Sequence, residues 1–155
     1  MKIKDIMRSP VMTAPVTALR ADIAGLLTSH RISGVPIVDD GGAIVGLVSE
    51  SDLLAKSGAT ASDLMTSSVI TVTPDTDVDD VRGLLIDRRI RRVPVTVGGQ
   101  LVGIVSRGDI VGLMAMEWVC QVCGEAERGG LAPQSCPKCG SPHATFTQQQ
   151  PPPGH

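Results

Sequence analysis

Apolar and polar positions follow the same order twice between residues 11 and 116, and this order predicts the elements of the chain. In the second copy Val81, Leu84 and Leu85 recur at i, i+3 and i+4, which predicts a helix with one apolar face. The first copy repeats that spacing. In each copy an apolar run, a Gly-Gly turn and a second apolar run follow, which predicts a β-hairpin, and a short helix comes next. Each copy therefore predicts the order β-α-β-β-α.

The offset between the two copies is nearly constant. Met7 corresponds to Met65 and Ile32 to Ile90, 58 positions later in each case, and the offset drops to 57 after the Gly-Gly turn. Two similar units of this size are expected to bury their apolar faces on each other, as repeats do when one unit cannot close its own core. A cleft between the two halves is the first place to look for function.

Both copies end on the phrase Gly-apolar-apolar-Ser-x-x-Asp, which carries Ser49 and Asp52 in the first copy and Ser106 and Asp109 in the second. The spacing is that of a capping box, in which the serine satisfies helix N–H groups and the acidic residue reaches back. It also suits a ligand, because a hydroxyl at a helix start can bind phosphate and a carboxylate can accept two vicinal hydroxyls. Both interpretations stay open on the sequence.

Three features in order resemble a tandem pair of cystathionine-β-synthase (CBS) domains across residues 4–116. They are an Asp-x-Met opening, the strands containing Val35-Pro36 and Val93-Pro94, and the closing phrase, each present twice. The resemblance implies an α/β (α+β) fold with two β-α-β-β-α repeats packed as a pseudo-twofold pair. It also implies that the cleft binds an adenosine-containing ligand such as AMP, ADP, ATP, S-adenosylmethionine or a dinucleotide.

The same resemblance implies a set of ligand-binding residues. Asp52 and Asp109 would bind ribose hydroxyls, and Ser49 and Ser106 would bind phosphate. Backbone and side chains near these residues would frame the base: Thr13, Val35, Pro36, Thr71, Val93 and Pro94.

Arg91 and Arg92 precede the second Val-Pro strand, where the first copy has Ser33 and Gly34. A guanidinium binds phosphate bidentately, so a site that uses these arginines is favoured for a phosphate-rich ligand. The alternative is that they stabilise a helix C-terminus, where positive charge is favourable.

All four cysteines lie in the last quarter of the chain, as two Cys-x-x-Cys pairs: Cys120 with Cys123, and Cys136 with Cys139. This spacing predicts one tetrahedral four-thiolate site for Zn²⁺ or iron. A segment of about 30 residues cannot usually fold without a staple, so metal binding would supply much of its folding energy. A pair of disulfides or four free thiols is the alternative.

The cysteine segment, with Trp118 before the first cysteine and Phe146 beyond the fourth, resembles the rubredoxin-like ribbon of rubrerythrins and equally a generic zinc ribbon. The first resemblance implies a redox-active iron, the second a structural zinc.

Composition narrows the function classes. The chain has 155 residues, a net charge of −2, one Trp, one Phe and no Tyr, so it lacks aromatic surfaces on which nucleic-acid bases could stack. No apolar stretch has the length of a signal peptide or a membrane span, so we expect a cytoplasmic protein. The boundaries predicted are 1–58 and 59–116 for the repeats, 117–147 for the ribbon and 148–155 for a disordered tail.

No nucleophile, base and orienting group stand out, so the sequence disfavours an enzyme. It predicts a regulatory sensor that binds an adenine nucleotide or related ligand between the repeats and contacts an unknown protein partner through the ribbon. The family resemblance also suggests a homodimer through the repeat helices. One alternative is a small electron-transfer protein with iron in the ribbon. The other, a nucleic-acid-associated regulator that uses a zinc ribbon, is disfavoured because acidic and basic residues of the ribbon balance.

Overall fold

The computed structural model describes residues 1–129 and 131–149, and the chain divides into two compact units. The first is Lys2–Val105. The second runs from Ser106 onward and includes Met1.

The first unit contains all of the first repeat and most of the second. Its elements in chain order are a 3₁₀ turn at Ile3–Asp5, β1 (Ala14–Pro15), α1 (Arg20–Ser29), β2 (Gly34–Val38), β3 (Ile44–Ser49), α2 (Glu50–Ala55), α3 (Ala61–Leu64), α4 (Val78–Asp87), β4 (Arg92–Val97) and β5 (Gln100–Ser106). The predicted mixed α/β (α+β) class and the β-α-β-β-α order are therefore present. The extended piece predicted at 69–72 is shorter than expected, because Val72 alone pairs there, in one parallel bridge to Val95.

Backbone pairing relates the repeats by a pseudo-twofold axis. β1 pairs parallel with β2 at Ala14 and Ile37, and the bridge between Val72 and Val95 is its counterpart 58 residues later. Residues Ala43 and Gln100, which are equivalent to each other, pair across the axis.

The opening segment of each repeat pairs with the other repeat. Thr66 and Leu47 exchange two backbone hydrogen bonds of 2.9 and 3.0 Å, and Arg8 and Ile104 exchange two of 2.9 and 3.1 Å. The chain order thus places residues 61–66, which begin the second repeat, on β3 of the first. This exchange ties the repeats together through main-chain hydrogen bonds.

At each place where an opening segment pairs with the other repeat, a methionine of that segment packs against a glycine of the strand. A Cβ on Gly46 would lie 2.8 Å from Cγ of Met65, and one on Gly103 would lie 3.0 Å from Cγ of Met7. Real Cβ atoms almost never come this close to a neighbour. The Asp-x-Met opening and the glycine of the closing phrase are therefore two halves of one packing contact between repeats.

The core of the first repeat is aliphatic, as the near absence of aromatic residues requires. Ile23 and Leu27 of α1 meet β2 and β3, and Ala61 and Leu64 of α3 complete the cluster. The apolar spacing predicted for α1 supplies the buried face of this core.

The second unit contains α5 (Arg107–Met114), β6 (Glu117–Cys120), β7 (Ala126–Arg128), a 3₁₀ turn at His143–Thr145 and β8 (Phe146–Gln149). The three strands form an antiparallel sheet in the order β7-β6-β8. Trp118 donates its indole N–H to the carbonyl of Gly129 at 2.9 Å, which fixes β6 against the following loop.

Part of the predicted disordered tail is a strand. Gln148 and Gln149 pair with β6. The rest of that prediction, residues 150–155, lies outside the described residues. Among the described helices, none combines the length and the apolar character that crossing a bilayer requires.

Candidate functional site

A pocket of about 300 Å³ lies between the two repeats within the first unit. The first repeat contributes Ser49 and Asp52 from the start of α2, and the second contributes Arg89, Arg91 and Arg92 from the segment that leads into β4. The structure thus joins the first Ser-x-x-Asp phrase to the second repeat's arginines. The volume is at the lower end of the range for small-molecule sites.

Ser49 and Asp52 form a reciprocal capping box. The carboxylate oxygen Oδ2 of Asp52 accepts from the backbone N–H and the hydroxyl of Ser49, at 2.9 and 3.0 Å, and Ser49 Oγ accepts from the Asp52 N–H at 3.3 Å. The capping interpretation of the phrase is confirmed. The box also fixes Asp52 at the pocket wall, because the side chain cannot rotate without losing the cap.

The other carboxylate oxygen of Asp52 has two further partners. Oδ1 accepts from the Thr66 hydroxyl at 3.2 Å and forms an ion pair of 2.9 Å with Lys56. Burial opposes ionisation of Asp52, but the Ser49 N–H and the Lys56 ammonium outweigh it and hold the pKa of this carboxyl below its ordinary value. Asp52 is therefore a pre-oriented anion at neutral pH.

Arg92 crosses from the second repeat to the first. Its guanidinium donates to Ser33 Oγ and lies over Gly34, where a Cβ would come within 2.6 Å of Arg92 Cζ. Burial, and then the neighbouring charge of Arg91, lowers the pKa of Arg92. Positions 34 and 92 are equivalent in the repeats, so the missing side chain of one makes room for the long side chain of the other.

Arg89 brings a third guanidinium to the pocket and has a backbone φ of 52°, in the left-handed region. Arg31, its equivalent in the first repeat, has the same φ. Both follow a helix that ends two residues earlier, where a left-handed residue is common. Arg89 and Arg91 are exposed, so the rim of the pocket is positively charged, against Asp52 on the wall.

Other predicted binding residues lie elsewhere. Four of them are fully buried in β2 and β4 and belong to the core: Val35, Pro36, Val93 and Pro94. Thr71 is exposed and is not among the side chains that line the pocket, and Thr13 borders a different cavity, of about 460 Å³.

The pocket also has lining residues that the sequence did not suggest. Ser33, Thr66 and Ser68 add hydroxyls, and Val69 and Ile70 add an apolar wall. The sequence does not indicate Thr66 as a pocket residue, because its position depends on the pairing of each opening segment with the other repeat, which no local pattern encodes.

Ser106 and Asp109 form the second capping box, in the other unit. Asp109 Oδ2 accepts from the backbone N–H of Ser106 at 2.9 Å and from its hydroxyl at 3.1 Å. The two closing phrases therefore have the same local geometry.

The four cysteines converge in the second unit. Their sulfurs all lie within 4.8 Å of one another, with 3.7 Å between Cys120 and Cys139 and 3.6 Å between Cys123 and Cys136. Ligands of a tetrahedral ion with metal–sulfur bonds of about 2.3 Å would lie about 3.8 Å apart. These separations fit that geometry and exceed the S–S bond of a disulfide, about 2.05 Å.

Each Cys-x-x-Cys pair lies on a tight turn that is followed by a glycine. Gly124 and Gly140, each directly after a Cys-x-x-Cys, have φ values of 78° and 75°, which only glycine adopts readily. The turns point backbone N–H groups at the sulfurs. Hydrogen bonding from the Cys123 backbone lowers the pKa of the Cys120 thiol to about 6, and the Ser141 hydroxyl, 2.9 Å from Cys139 Sγ, lowers the pKa of Cys139.

The pKa of Cys123 is shifted in the opposite direction. Hydrogen bonding to the Glu125 backbone lowers its pKa, but burial and the neighbouring thiols outweigh this and raise it to about 12. A cluster that cannot ionise all its thiols by itself is stabilised by a cation, which compensates the thiolate charges. The donor set fits Zn²⁺ or iron.

Two basic side chains of the second unit are neutralised by acids. Arg128 pairs with Glu117 at 3.0 Å, and Lys138 with Glu125 at 3.5 Å. Contact with a phosphate backbone would have to displace these partners.

Comparison with known proteins agrees with this organisation. Residues 3–58 and 61–115 each match the CBS domain family. The chain belongs to this family. Residues 118–147 match the rubredoxin-like domain of rubrerythrin.

Several proteins are similar over about 70% of this chain. An uncharacterized protein of Bacillus subtilis, YlbB, is 32% identical over 117 residues, which cover 70% of this chain and 79% of YlbB. A longer relative is the uncharacterized protein MK0525 of Methanopyrus kandleri, also 32% identical, of which the match covers 60%.

Two solved structures of CBS pairs contain adenosine compounds. CBSX2 of Arabidopsis thaliana in complex with AMP superposes with a TM-score of 0.68 and 32% identity, covering 71% of this chain and 93% of that one. The CBS domain pair of protein MJ0100, in complex with 5-methylthioadenosine and S-adenosyl-L-methionine, gives a TM-score of 0.68 and 35% identity, covering 72% and 93%.

Proposed function

We propose that this protein is a regulatory sensor that binds an adenosine-containing ligand in the pocket between its CBS repeats. The observation that carries the proposal is the meeting of Asp52, a pre-oriented carboxylate, with Arg89 and Arg91 around one cavity. A carboxylate suits the vicinal hydroxyls of a ribose, and exposed guanidinium groups suit phosphate.

The relatives support this proposal. CBS pairs of the same fold, at 32% and 35% identity, have been solved with AMP and with S-adenosylmethionine and methylthioadenosine. In this chain Asp52 takes the ribose, the arginines take the phosphate, and Val69 and Ile70 supply the apolar contact for the base. Ligand binding then changes the relation between the repeats, which meet at this pocket.

The test is the thermal stability of the full chain with AMP, ADP, ATP, S-adenosylmethionine and NAD. A ligand at 100 times its Kd stabilises the native state by about 2.7 kcal/mol, which corresponds to a rise of about 5–10 °C for a protein of this size. Arg91→Met should reduce the rise for phosphorylated ligands. Arg82→Met is the matched control, because Arg82 pairs with Asp79 on α4 and does not line the pocket. Absence of any rise across all five ligands contradicts the proposal.

We also propose that the protein is a homodimer through the repeat helices. A groove of about 690 Å³ runs between α1 and α2, and Leu54 at its edge has a relative exposure of 89%. A large apolar side chain this exposed is stabilised by covering it. Light scattering of the full chain should give the dimer mass for wild type and the monomer mass for Leu54→Glu.

For the second unit we propose a metal-stabilised ribbon that contacts a protein partner. The four-cysteine cluster supports the metal, which supplies structural stability if it is zinc and one-electron redox chemistry if it is iron. Elemental analysis of protein purified without added metal should give one ion per chain. An ion content near zero contradicts the metal part of the proposal.

The similarity to the rubredoxin-like domain of rubrerythrin favours a second candidate function, electron transfer by an iron ribbon controlled by the CBS pair. Colour decides between the two. Ferric iron on four thiolates absorbs visible light and bleaches on reduction, whereas the zinc protein is colourless at every potential.

A further inference from the structure

We propose that Lys56 sets the affinity of the pocket by competing with the ligand's vicinal diol for Asp52 Oδ1. The inference rests on the proposed function, since it concerns how the same pocket admits its ligand. It assigns a role to a side chain that belongs to neither the Ser-x-x-Asp phrase nor the arginine segment.

The Asp52 carboxylate can accept only a limited number of hydrogen bonds. A carboxylate offers about four acceptor positions. Oδ2 already accepts twice from Ser49, and Oδ1 accepts from Thr66 and pairs with Lys56. All four positions are therefore occupied, and a ribose that donates two hydrogen bonds must displace existing donors.

Displacing the hydrogen bonds from Ser49 would remove the N-terminal cap of α2. The bonds at Oδ1 are available. Asp52 is 12% exposed and Lys56 40% exposed, so the ammonium is on the solvent side of the pair and can withdraw into water.

Lys56 also has another acceptor when it leaves Asp52. Its ammonium donates to the carbonyl of Leu64 at 3.1 Å, at the end of α3. Moving off Asp52 therefore leaves the lysine partly bonded, and freeing its acceptor position on Oδ1 costs one partly exposed ion pair. Such pairs contribute modestly, so the competition weakens ligand binding without preventing it.

The repeat supplies an internal comparison. With the offset of 57 that holds after the turn, the position equivalent to Lys56 is Leu113. The two Ser-x-x-Asp phrases share the capping geometry but differ at this position. Competition by a lysine at this position is therefore possible only at the first phrase.

Titration calorimetry with AMP and 2′,3′-dideoxy-AMP on the full chain tests this inference. Both ligands carry the same phosphate, so the loss of a positive charge affects both, and the ratio of their Kd values reports the diol alone. In Lys56→Met the ratio of the Kd for 2′,3′-dideoxy-AMP to the Kd for AMP should rise about 1.5-fold to fivefold, in favour of AMP. Lys4→Met is the matched control, since Lys4 forms an exposed ion pair with Asp75 outside the pocket, and it should leave the ratio unchanged.

Two further results separate the inference from the function on which it rests. Asp52→Asn should bring the ratio close to that of a site without diol recognition, which locates the effect at Asp52. A wild-type protein that binds AMP, with an unchanged or smaller ratio in Lys56→Met, overturns the role of Lys56 and leaves the sensor standing. Failure of both wild type and Lys56→Met to bind AMP overturns the inference together with an AMP site in this pocket.

Discussion

Gly46 allows the opening segment of the second repeat to pack on β3, and replacing it by alanine tests that contact directly. The new Cβ would lie 2.5 Å from Sδ, 2.8 Å from Cγ and 3.0 Å from Cβ of Met65. The flexible end of the methionine can move away, but its Cβ is held by a backbone whose next residue, Thr66, is hydrogen-bonded to Leu47. The strand and the segment must therefore separate.

Overpacking of this kind costs about 1–3 kcal/mol, which corresponds to a fall in the unfolding midpoint of roughly 3–9 °C. Circular dichroism of the full chain during thermal unfolding measures it. Gly25→Ala is the control, because Gly25 lies in α1 with no atom within 4 Å of a new Cβ, and alanine there should stabilise by about 0.5–1 kcal/mol.

A double-mutant cycle decides whether the cost comes from Met65. In a Met65→Gly background all three of these contacts are absent, so Gly46→Ala should cost less than about 0.5 kcal/mol. An equal cost in both backgrounds would refute the packing argument and place the effect in the strand backbone instead.

The remaining predictions concern the pocket and the metal site. Gly34→Ala should change stability by less than about 1 kcal/mol, because only the flexible end of Arg92 lies in the way, yet it should weaken ligand binding in calorimetry by displacing that guanidinium. Cys136→Ser should reduce metal content, and chelation of the wild type should change Trp118 fluorescence, because this tryptophan packs against the cysteine cluster. The pKa of Asp52 is lower in the folded state, so its contribution to stability is present above the unfolded value of about 3.9 and is lost as the pH falls through the folded value. The free energy of unfolding of Asp52→Asn should therefore fall less between pH 7 and acid pH than that of the wild type. An equal fall in both proteins would contradict this prediction.

The sequence predicted the elements because their signals are local. Apolar spacing at Val81, Leu84 and Leu85 defines a helix face whatever the helix packs on, and α4 buries Val81 and Leu85 as that spacing requires. The Ser-x-x-Asp phrase likewise specifies a capping box within four residues, and both copies form one. The Cys-x-x-Cys-Gly knuckles are local for the same reason.

Resemblance predicted the family correctly, but it did not show which candidate residues turn their side chains into the core. Val35 and Val93 occupy matching places in the two repeats, and the side chains of both are completely buried, so only their backbone is left for the expected contact with the base. A strand residue's exposure depends on which face another segment covers. That face is chosen by the packing of distant elements, so a pattern of two or three residues does not contain it.

The sequence by itself determined that this chain has two similar repeats, a four-cysteine ribbon and two helix caps, since each of these follows from residues that are neighbours in sequence. Only the tertiary structure decided which segments of the two repeats come into contact. The opening segment of one repeat pairs with the closing strand of the other, and Arg92 of the second repeat reaches Ser33 of the first. These contacts join residues about 20 to 100 positions apart, and their partners are selected by the shape of the assembled repeats. The pocket between the repeats exists only because of that assembly.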